Sequence, residues 1–290
     1  MTIKCCCCDG DMCQGLESWH WQCPSCGYEA SQFDVTINET SSHALMDEAS
    51  REHGLKTLRE GNFRDLLALI REHVPPGRRQ LLDVGAAHGW FVKMASERMD
   101  ALGIEPDGAM CVKALSEGIS LIEGYFPDAI SADAKFDVIT FNDVFEHIPD
   151  IPRTFAACRK HLKDGGLLVL NLPSSDGFFY KTSKLLKRAG SASAFERMWQ
   201  KDLPSPHIHY FNPKNLVQAA EKNGFDRVSV ASLRSVRHEG LYDRISHISG
   251  RGKLHNNLVF VATTLVIPLT GVLSSDIAVV ILKKNSSARA

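Results

Sequence analysis

The chain reads as an α/β protein with a mainly parallel, doubly wound seven-stranded sheet, helices on both faces and a small cysteine-rich module in front. Three observations predict this. Strand-like apolar runs alternate with helix-like segments from residue 80 to residue 282, the pattern of a parallel sheet covered on both sides. The run Leu81-Leu82-Asp83-Val84-Gly85-Ala86-Ala87-His88-Gly89-Trp90-Phe91 carries an apolar strand through a glycine-containing turn into a helix, and Leu102-Gly103-Ile104-Glu105-Pro106-Asp107 then ends a second strand in an acid. A turn of that kind followed by an acid is how doubly wound sheets grip a nucleoside. Finally, seven of the nine cysteines lie before residue 27.

Bulk composition narrows the classes. A length of 290 residues suits one large domain, or a catalytic domain with a small addition. The 44% apolar and 23% charged fractions are those of a globular protein with a full core. A net charge of -1 gives no global pull toward nucleic acid or an anionic membrane. The start, Met1-Thr2-Ile3-Lys4 followed by cysteines, has no apolar signal core, so a cytoplasmic location is expected. There, clustered cysteines read as a metal site rather than as disulfides.

Each element follows in order. Residues 1–32 form the cysteine-rich module, with Cys5-x-x-Cys8 and Cys23-x-x-Cys26 on tight knuckles fourteen residues apart. Thiolates three apart on such knuckles can share one ion, and two knuckles complete a tetrahedron. So short a module cannot hold itself by a core, so a structural zinc on Cys5, Cys8, Cys23 and Cys26 is expected. Cys6, Cys7 and Cys13 are alternative ligands at the first knuckle, and four thiolates leave no position for catalysis. Residues 43–77 are a helical lead-in, with Leu55, Leu58, Phe63, Leu66, Leu67, Leu69 and Ile70 at helical spacing before Pro75-Pro76-Gly77.

Residues 78–290 carry the strand-like runs 80–84, 101–104, 120–122, 136–141, 167–172, 227–231 and 277–282. An insert at 174–206 holds Phe178, Phe179, Tyr180 and Trp199 beside Lys181, Lys184, Lys187 and Arg188. Its lysines share one helical face, either solvated or part of a lid that draws a phosphate or acidic sugar. The uncharged stretch 258–273 is sixteen residues long and contains Pro268, short of the roughly twenty needed to span a bilayer. It is expected to pack as a helix, or to touch a membrane or a lipid-linked acceptor. Cys111 and Cys158 fall on helix patterns and read as small core residues.

Four segments (81–91, 103–107, 136–150 and 164–171) together resemble the successive motifs of class I S-adenosylmethionine-dependent methyltransferases. The subgroup it resembles is that of ubiquinone-biosynthesis-type and sugar methyltransferases, to which His207-Ile-His-Tyr-Phe-Asn-Pro-Lys-Asn-Leu216 and Asn223-Gly-Phe225 are also similar. The likeness covers about residues 78–282, and some sugar methyltransferases also carry an N-terminal zinc module. The turn is not Gly-x-Gly-x-x-Gly and has an acid just ahead of its first glycine, which favours S-adenosylmethionine over NAD.

The resemblance implies roles. Asp83 holds the turn or reaches the cofactor's ammonium through water. Gly85 and Gly89 admit the methionine part, with Ala87 where the family usually has a glycine. Glu105, beside Pro106, accepts both ribose hydroxyls. The family often has Gly-Asp after the third strand, but here Gly124 is followed by Tyr125 and Phe126, so one of these aromatics or a backbone group is expected at the adenine. Asn142 and Asp143 end the fourth strand where the methyl should point, with Glu146 and His147 on the acceptor side. His88 packs beside the methionine moiety. Transfer to oxygen needs a base near neutrality, for which His147 and His207 are the candidates. The expected enzyme methylates a small or lipid-linked acceptor: a sugar hydroxyl or sugar nucleotide first, a quinone or phenol second, with no nucleic acid partner. A zinc-containing scaffold without catalysis is the alternative.

Overall fold

The computed structural model describes residues 3–35, 48–77, 79–235 and 273–285, with scattered positions between 241 and 264. In chain order come β1 (Cys13–Gln14), β2 (His20–Gln22), β3 (Glu29–Ser31), α1 (Glu48–His73), β4 (Gln80–Val84), α2 (Trp90–Ala95) and β5 (Asp100–Glu105). Next are α3 (Gly108–Ser116), β6 (Leu121–Glu123), β7 (Phe136–Asn142), α4 (Ile151–His161), β8 (Leu162–Pro173), α5 (Phe178–Arg188) and α6 (Ser193–Met198). β9 (His209–Tyr210), α7 (Pro213–Lys222), β10 (Phe225–Leu233) and β11 (Ile277–Lys284) complete the chain.

All seven expected runs join one sheet, in the order β10-β11-β8-β7-β4-β5-β6. Strands β6, β5, β4, β7 and β8 are parallel, and β11 runs antiparallel to both β8 and β10. The parallel strands are apolar along their length because both faces are covered. Side chains alternate between those faces. Leu82, Ile139, Leu168 and Leu170 pack with Phe155 of α4 and Leu216 of α7. Leu81, Val138 and Val169 pack with Leu66 and Ile70 of α1 and Phe91 of α2. Cys111 of α3 and Cys158 of α4 are buried core residues, as expected.

Caps set the helix starts. Asp107 accepts from the Ala109 and Met110 amides at 2.9 and 3.1 Å, Asp150 accepts from Arg153 N at 3.0 Å, and Asn212 and Asn215 form a reciprocal capping box ahead of α7. The chain leaves β4 for β5 on one side and returns to β7 on the other. At such a reversal the carboxyl ends of neighbouring strands part and leave a crevice.

The cysteine-rich module is built into this body. β1, β2, β3 and β9 form a four-stranded antiparallel sheet, so the last strand of the module's sheet comes from far downstream. Ser31 binds the same downstream segment, its amide donating to Ile208 O at 3.0 Å and its hydroxyl to His207 O at 2.9 Å. Met12 and Tyr28 share a core with Phe145, Phe211 and Leu216.

Glu29 is the polar centre of this junction and is only 3% exposed. It accepts from His20 Nε2 at 2.7 Å, the Tyr180 hydroxyl at 2.8 Å and Lys184 Nζ at 2.7 Å. His20 Nδ1 accepts from Leu16 N at 2.9 Å, which leaves the ring proton on Nε2 facing Glu29. Lys187 pairs with Glu17 and Lys181 with Asp176. Lys184 and Lys187 thus form an ion-paired seam against the module, while Lys181 stays on the solvated side of the same helix. Tyr180, Phe195, Trp199 and Tyr210 form one cluster over Trp19, so this insert buttresses the module. The stretch 258–273 lies for the most part outside the described residues. Among the described residues no helix is long and apolar enough to cross a membrane.

Burial alone would raise the Glu29 carboxyl, but its bonds from His20 and Lys184 outweigh this and hold it below the ordinary glutamate value. Glu29→Ala strands the part-buried Lys184 ammonium and leaves the buried His20 and Tyr180 donors without an acceptor, so urea unfolding at pH 7 should show a loss of about 3–5 kcal/mol. The folded-state value is depressed, so this stabilisation is present above an unfolded glutamate's value of about 4.3 and fades as pH falls through the folded one. A loss under about 1 kcal/mol at pH 7, or one unchanged in acid, would contradict the assignment.

Candidate functional site

A cleft of 720 Å³ opens at the carboxyl ends of β4, β5 and β7. Its walls include Gly85, Glu105, Pro106, Tyr125, Phe126, Asp143 and His147, all singled out from the sequence. A smaller hollow beside it is lined by Asp83, Gly85, Ala87, His88, Asn142 and Asp143, with Arg59 of α1. Gly89 and His207 line neither.

The turn after β4 is left-handed at Gly85 (φ 72°), Ala87 (φ 47°) and Gly89 (φ 71°). A Cβ on Gly85 would come within 2.5 Å of Val144 Cγ2. At Gly89 the clash is with Ile119 Cγ2, at 2.7 Å. The left-handed backbone and the packing against Ile119 both favour glycine at position 89. Ala87 accepts the left-handed backbone that a glycine would hold more cheaply. Its amide donates to Glu105 Oε2 at 2.8 Å, and Asp107 N donates to Oε1 at 3.0 Å. These bonds fix the plane of the carboxylate at the edge of the cleft.

Asp83 stitches the crevice. Its Oδ1 accepts from Thr140 Oγ1 at 2.7 Å and Asn142 Nδ2 at 2.8 Å, and Asn142 Oδ1 accepts from Asn171 at 3.3 Å. The chain of bonds ties the ends of β4, β7 and β8. Burial pushes the Asp83 carboxyl up to about 7, against the lowering effect of Thr140 and Asn142.

At the other end of the cleft His147 is on the wall, with Glu146 and His207 buried behind it. The imidazole rings are 4.9 Å apart, and His147 Nδ1 donates to Pro206 O at 2.8 Å. Burial lowers His147, and burial followed by the neighbouring His147 pushes His207 down to about 3. Both rings are neutral near pH 7. Burial, with Asp143 adding to it, raises Glu146 well above the ordinary value. His207 stands behind His147, positioned by Ser31 of the module.

The structure adds residues that the sequence reading passed over. Arg59 reaches the hollow from the helical lead-in, where only the apolar spacing was legible. Asp128 lines the cleft beside Phe126, displaced along the chain from the position after Gly124 where an acid is usual. Val35 and Ser205 complete the rim, and Ser205 Oγ lies 3.1 Å from His147 Nδ1.

Away from the cleft, the sulfurs of Cys5, Cys8, Cys23 and Cys26 lie within 4.8 Å of one another, with Cys5–Cys26 and Cys8–Cys23 both at 3.5 Å. A tetrahedral zinc with bonds of about 2.3 Å sets its sulfurs roughly 3.8 Å apart, so the four thiols fit that ion. Cys13 is exposed and donates to Gln22 O, and Cys6 and Cys7 face each other at 3.8 Å outside the set.

Comparison with known proteins decides the family. A family model described as a methyltransferase domain matches residues 55–230. The chain belongs to this family. The match to the methyltransferase domain begins within α1 and ends within β10, so it takes in both glycine turn and cleft. A trans-aconitate 2-methyltransferase of Deinococcus radiodurans is 29% identical over 42% of this chain, a match spanning 48% of that enzyme. A ubiquinone biosynthesis O-methyltransferase of Colwellia psychrerythraea is 26% identical over 62% of this chain and 70% of its own length. Among solved structures, a Thermotoga maritima protein described as an S-adenosylmethionine-dependent methyltransferase shares the fold at TM-score 0.54. Identity is 17%, covering 84% of this chain and 99% of that one. These findings place the chain in class I of the S-adenosylmethionine-dependent methyltransferases.

The raised Asp83 carboxyl has a measurable consequence in this methyltransferase domain. An acid whose folded-state value lies above its unfolded value of about 3.9 costs stability increasingly as pH rises from about 4 to about 7. Asp83→Asn should therefore raise unfolding free energy at pH 8 by about 1 kcal/mol or more, with the gain disappearing near pH 4. A gain that is equal at both pH values would show that packing, not ionisation, is responsible.

Proposed function

We propose that the chain transfers the methyl group of S-adenosylmethionine to a hydroxyl of a small, largely apolar acceptor such as a phenol or quinol. Glu105 carries the reading: a buried carboxylate at the end of β5, on the cleft wall and aimed by the Ala87 and Asp107 amides. Glu105 would take the ribose hydroxyls. Gly85, Ala87, Asp83 and Asn142 would face the methionine portion, with Arg59 near enough to meet its carboxylate. Tyr125, Phe126 and Pro106 would enclose the adenine, and Asp128 offers the acceptor for its amine that the position after Gly124 lacks. When bound, the cofactor supplies an electrophilic methyl on a sulfonium.

The protein's own task is then to orient an acceptor hydroxyl at the Asn142–Asp143 end and remove its proton. His147 faces the cleft as a neutral imidazole and can accept a proton there. Val35, Val144, Ile148 and Pro149 wall this end, which supports an apolar acceptor. The similarity to a ubiquinone biosynthesis O-methyltransferase supports this acceptor class, whereas trans-aconitate, the acid in the name of the other relative, is a polar small molecule. The sugar acceptor expected from the sequence has no counterpart among these relatives. Cys5, Cys8, Cys23 and Cys26 would hold a structural zinc, closed to solvent chemistry, that keeps the β3–β9 junction in place.

Calorimetry with S-adenosylhomocysteine should show binding that Glu105→Ala weakens about 100-fold, the loss of two hydrogen bonds to a charged group. Unaltered binding in the variant contradicts the assignment, and no binding by the parent favours a scaffold. Methyl-labelled cofactor offered with phenols and with sugar nucleotides separates the acceptors: label in the phenolic product is expected, and label only in the sugar would overturn the acceptor class. Metal analysis should find about one zinc per chain, lost in Cys23→Ser/Cys26→Ser; a metal-free parent purified without chelator would rule the zinc out.

A further inference from the structure

The acceptor end of the cleft is walled by Ile148 and Pro149, which follow the 3-10 turn Phe145–His147. Residues 206–209 clamp this turn from behind. The Ile208 amide donates to Glu146 O at 3.0 Å, His147 Nδ1 donates to Pro206 O at 2.8 Å, and His209 Nε2 donates to Ile148 O at 2.9 Å. The last bond matters most for the wall itself. Pro149 has no N–H, and the Ile148 amide is used inside the turn, on Phe145 O at 3.3 Å. The wall is therefore tied to the body of the protein through the Ile148 carbonyl.

Both nitrogens of the His209 ring are engaged. A carbonyl can only accept, so the ring proton is on Nε2 and the lone pair is on Nδ1, to which the Tyr28 hydroxyl donates. A ring held at both nitrogens acts as a bracket, not as a base. Its other end is in the cysteine module. Tyr28 is 2% exposed, its carbonyl accepts from Cys23 N at 2.8 Å, and its ring packs 5.1 Å from that of Phe211. The backbone follows the same route: Ala30 pairs with His209 in the β3–β9 ladder, and Ser31 binds the carbonyls of His207 and Ile208.

We propose that His209, oriented by Tyr28, is a positioning residue that holds the Ile148–Pro149 wall against the cysteine module and so sets how tightly the acceptor binds. The groups assigned to the cofactor stand apart from this bracket: Gly85, Ala87 and Glu105 are carried by β4, the turn that follows it and β5. Loosening the wall therefore weakens acceptor binding and leaves cofactor binding as it is. The effect on the acceptor rests on the methyl-transfer reading; the hold on the wall does not.

The test compares His209→Leu, His209→Gln and Tyr28→Phe with the parent, all as purified full chains. Glutamine keeps an N–H donor near the place of Nε2, and leucine keeps only bulk. With a phenolic acceptor, His209→Leu should raise KM by about tenfold and change kcat by less than about threefold, and His209→Gln should recover most of the loss. Tyr28→Phe loses only the hydroxyl and should raise KM by about threefold; it decides if the leucine variant fails to fold. Metal content and affinity for S-adenosylhomocysteine should match the parent in all three. Amide exchange should quicken at residues 145–148 in His209→Leu, and not at 85–89 or 105–107. An unchanged acceptor KM, an equal loss in His209→Gln, or a parallel loss of S-adenosylhomocysteine binding overturns the proposal. If the parent methylates no phenol, the acceptor reading falls, and exchange at 145–148 then decides the positioning: quickened exchange upholds it and unchanged exchange fells it.

Discussion

The reversal of strand order at β4 is the constraint on which the rest of the structure depends. With β5 on one side and β7 on the other, the carboxyl ends cannot be closed over by their own connections, and the chain must leave β4 in a sharp turn. That turn is left-handed at Gly85, Ala87 and Gly89. It delivers the Ala87 amide to Glu105, so the bend that opens the cleft also aims its principal carboxylate. Asp83 stops the opening from spreading by bonding across to Thr140 and Asn142. The penalty for burying that acid is accepted at the place where a ligand would later lie, a common location for strain.

A second dependence runs through the β3–β9 pairing. The module is too small for a core of its own, and it borrows one from Phe145, Phe211 and Leu216. In return, Ser31 fixes His207, and Tyr28 bonds the ring of His209. Glu29 draws α5 onto the same junction through Tyr180 and Lys184. The geometry of the acceptor end therefore rests on a region that would look dispensable if the chain were divided by sequence alone.

Legibility followed from how many residues each feature engages. The central strands of the main sheet were readable because strands buried on both faces are continuous apolar runs, and Gln80–Val84 emerged with its boundaries intact; the edge strand β10, exposed along most of one face, showed only a short alternating run. Strands β1, β2, β3 and β9, of two or three residues, are too short to show a period. The lysines of α5 were seen to share a face, but spacing says nothing about what a face meets, which proved to be Glu29 and Glu17. At the site, Glu105 was legible from its place at a strand end. Asp128 and Arg59 were not, since one is displaced along a loop and the other projects from a separate helix. The packing of Ile119 against Gly89 was not legible in the glycine pattern, because Ile119 lies thirty residues further along the chain. The facing of Glu146 by His207 exists only in three dimensions.

The central claim is that a nucleoside cofactor lies along the carboxyl edge where the strand order reverses. Amide hydrogen exchange with and without S-adenosylhomocysteine tests it most directly. Slowed exchange is expected at residues 85–89, 105–107, 124–128 and 142–144, where backbone N–H groups border the cleft, with the strands of the module unchanged. Protection absent from these segments, or confined to residues 13–31, would contradict the account.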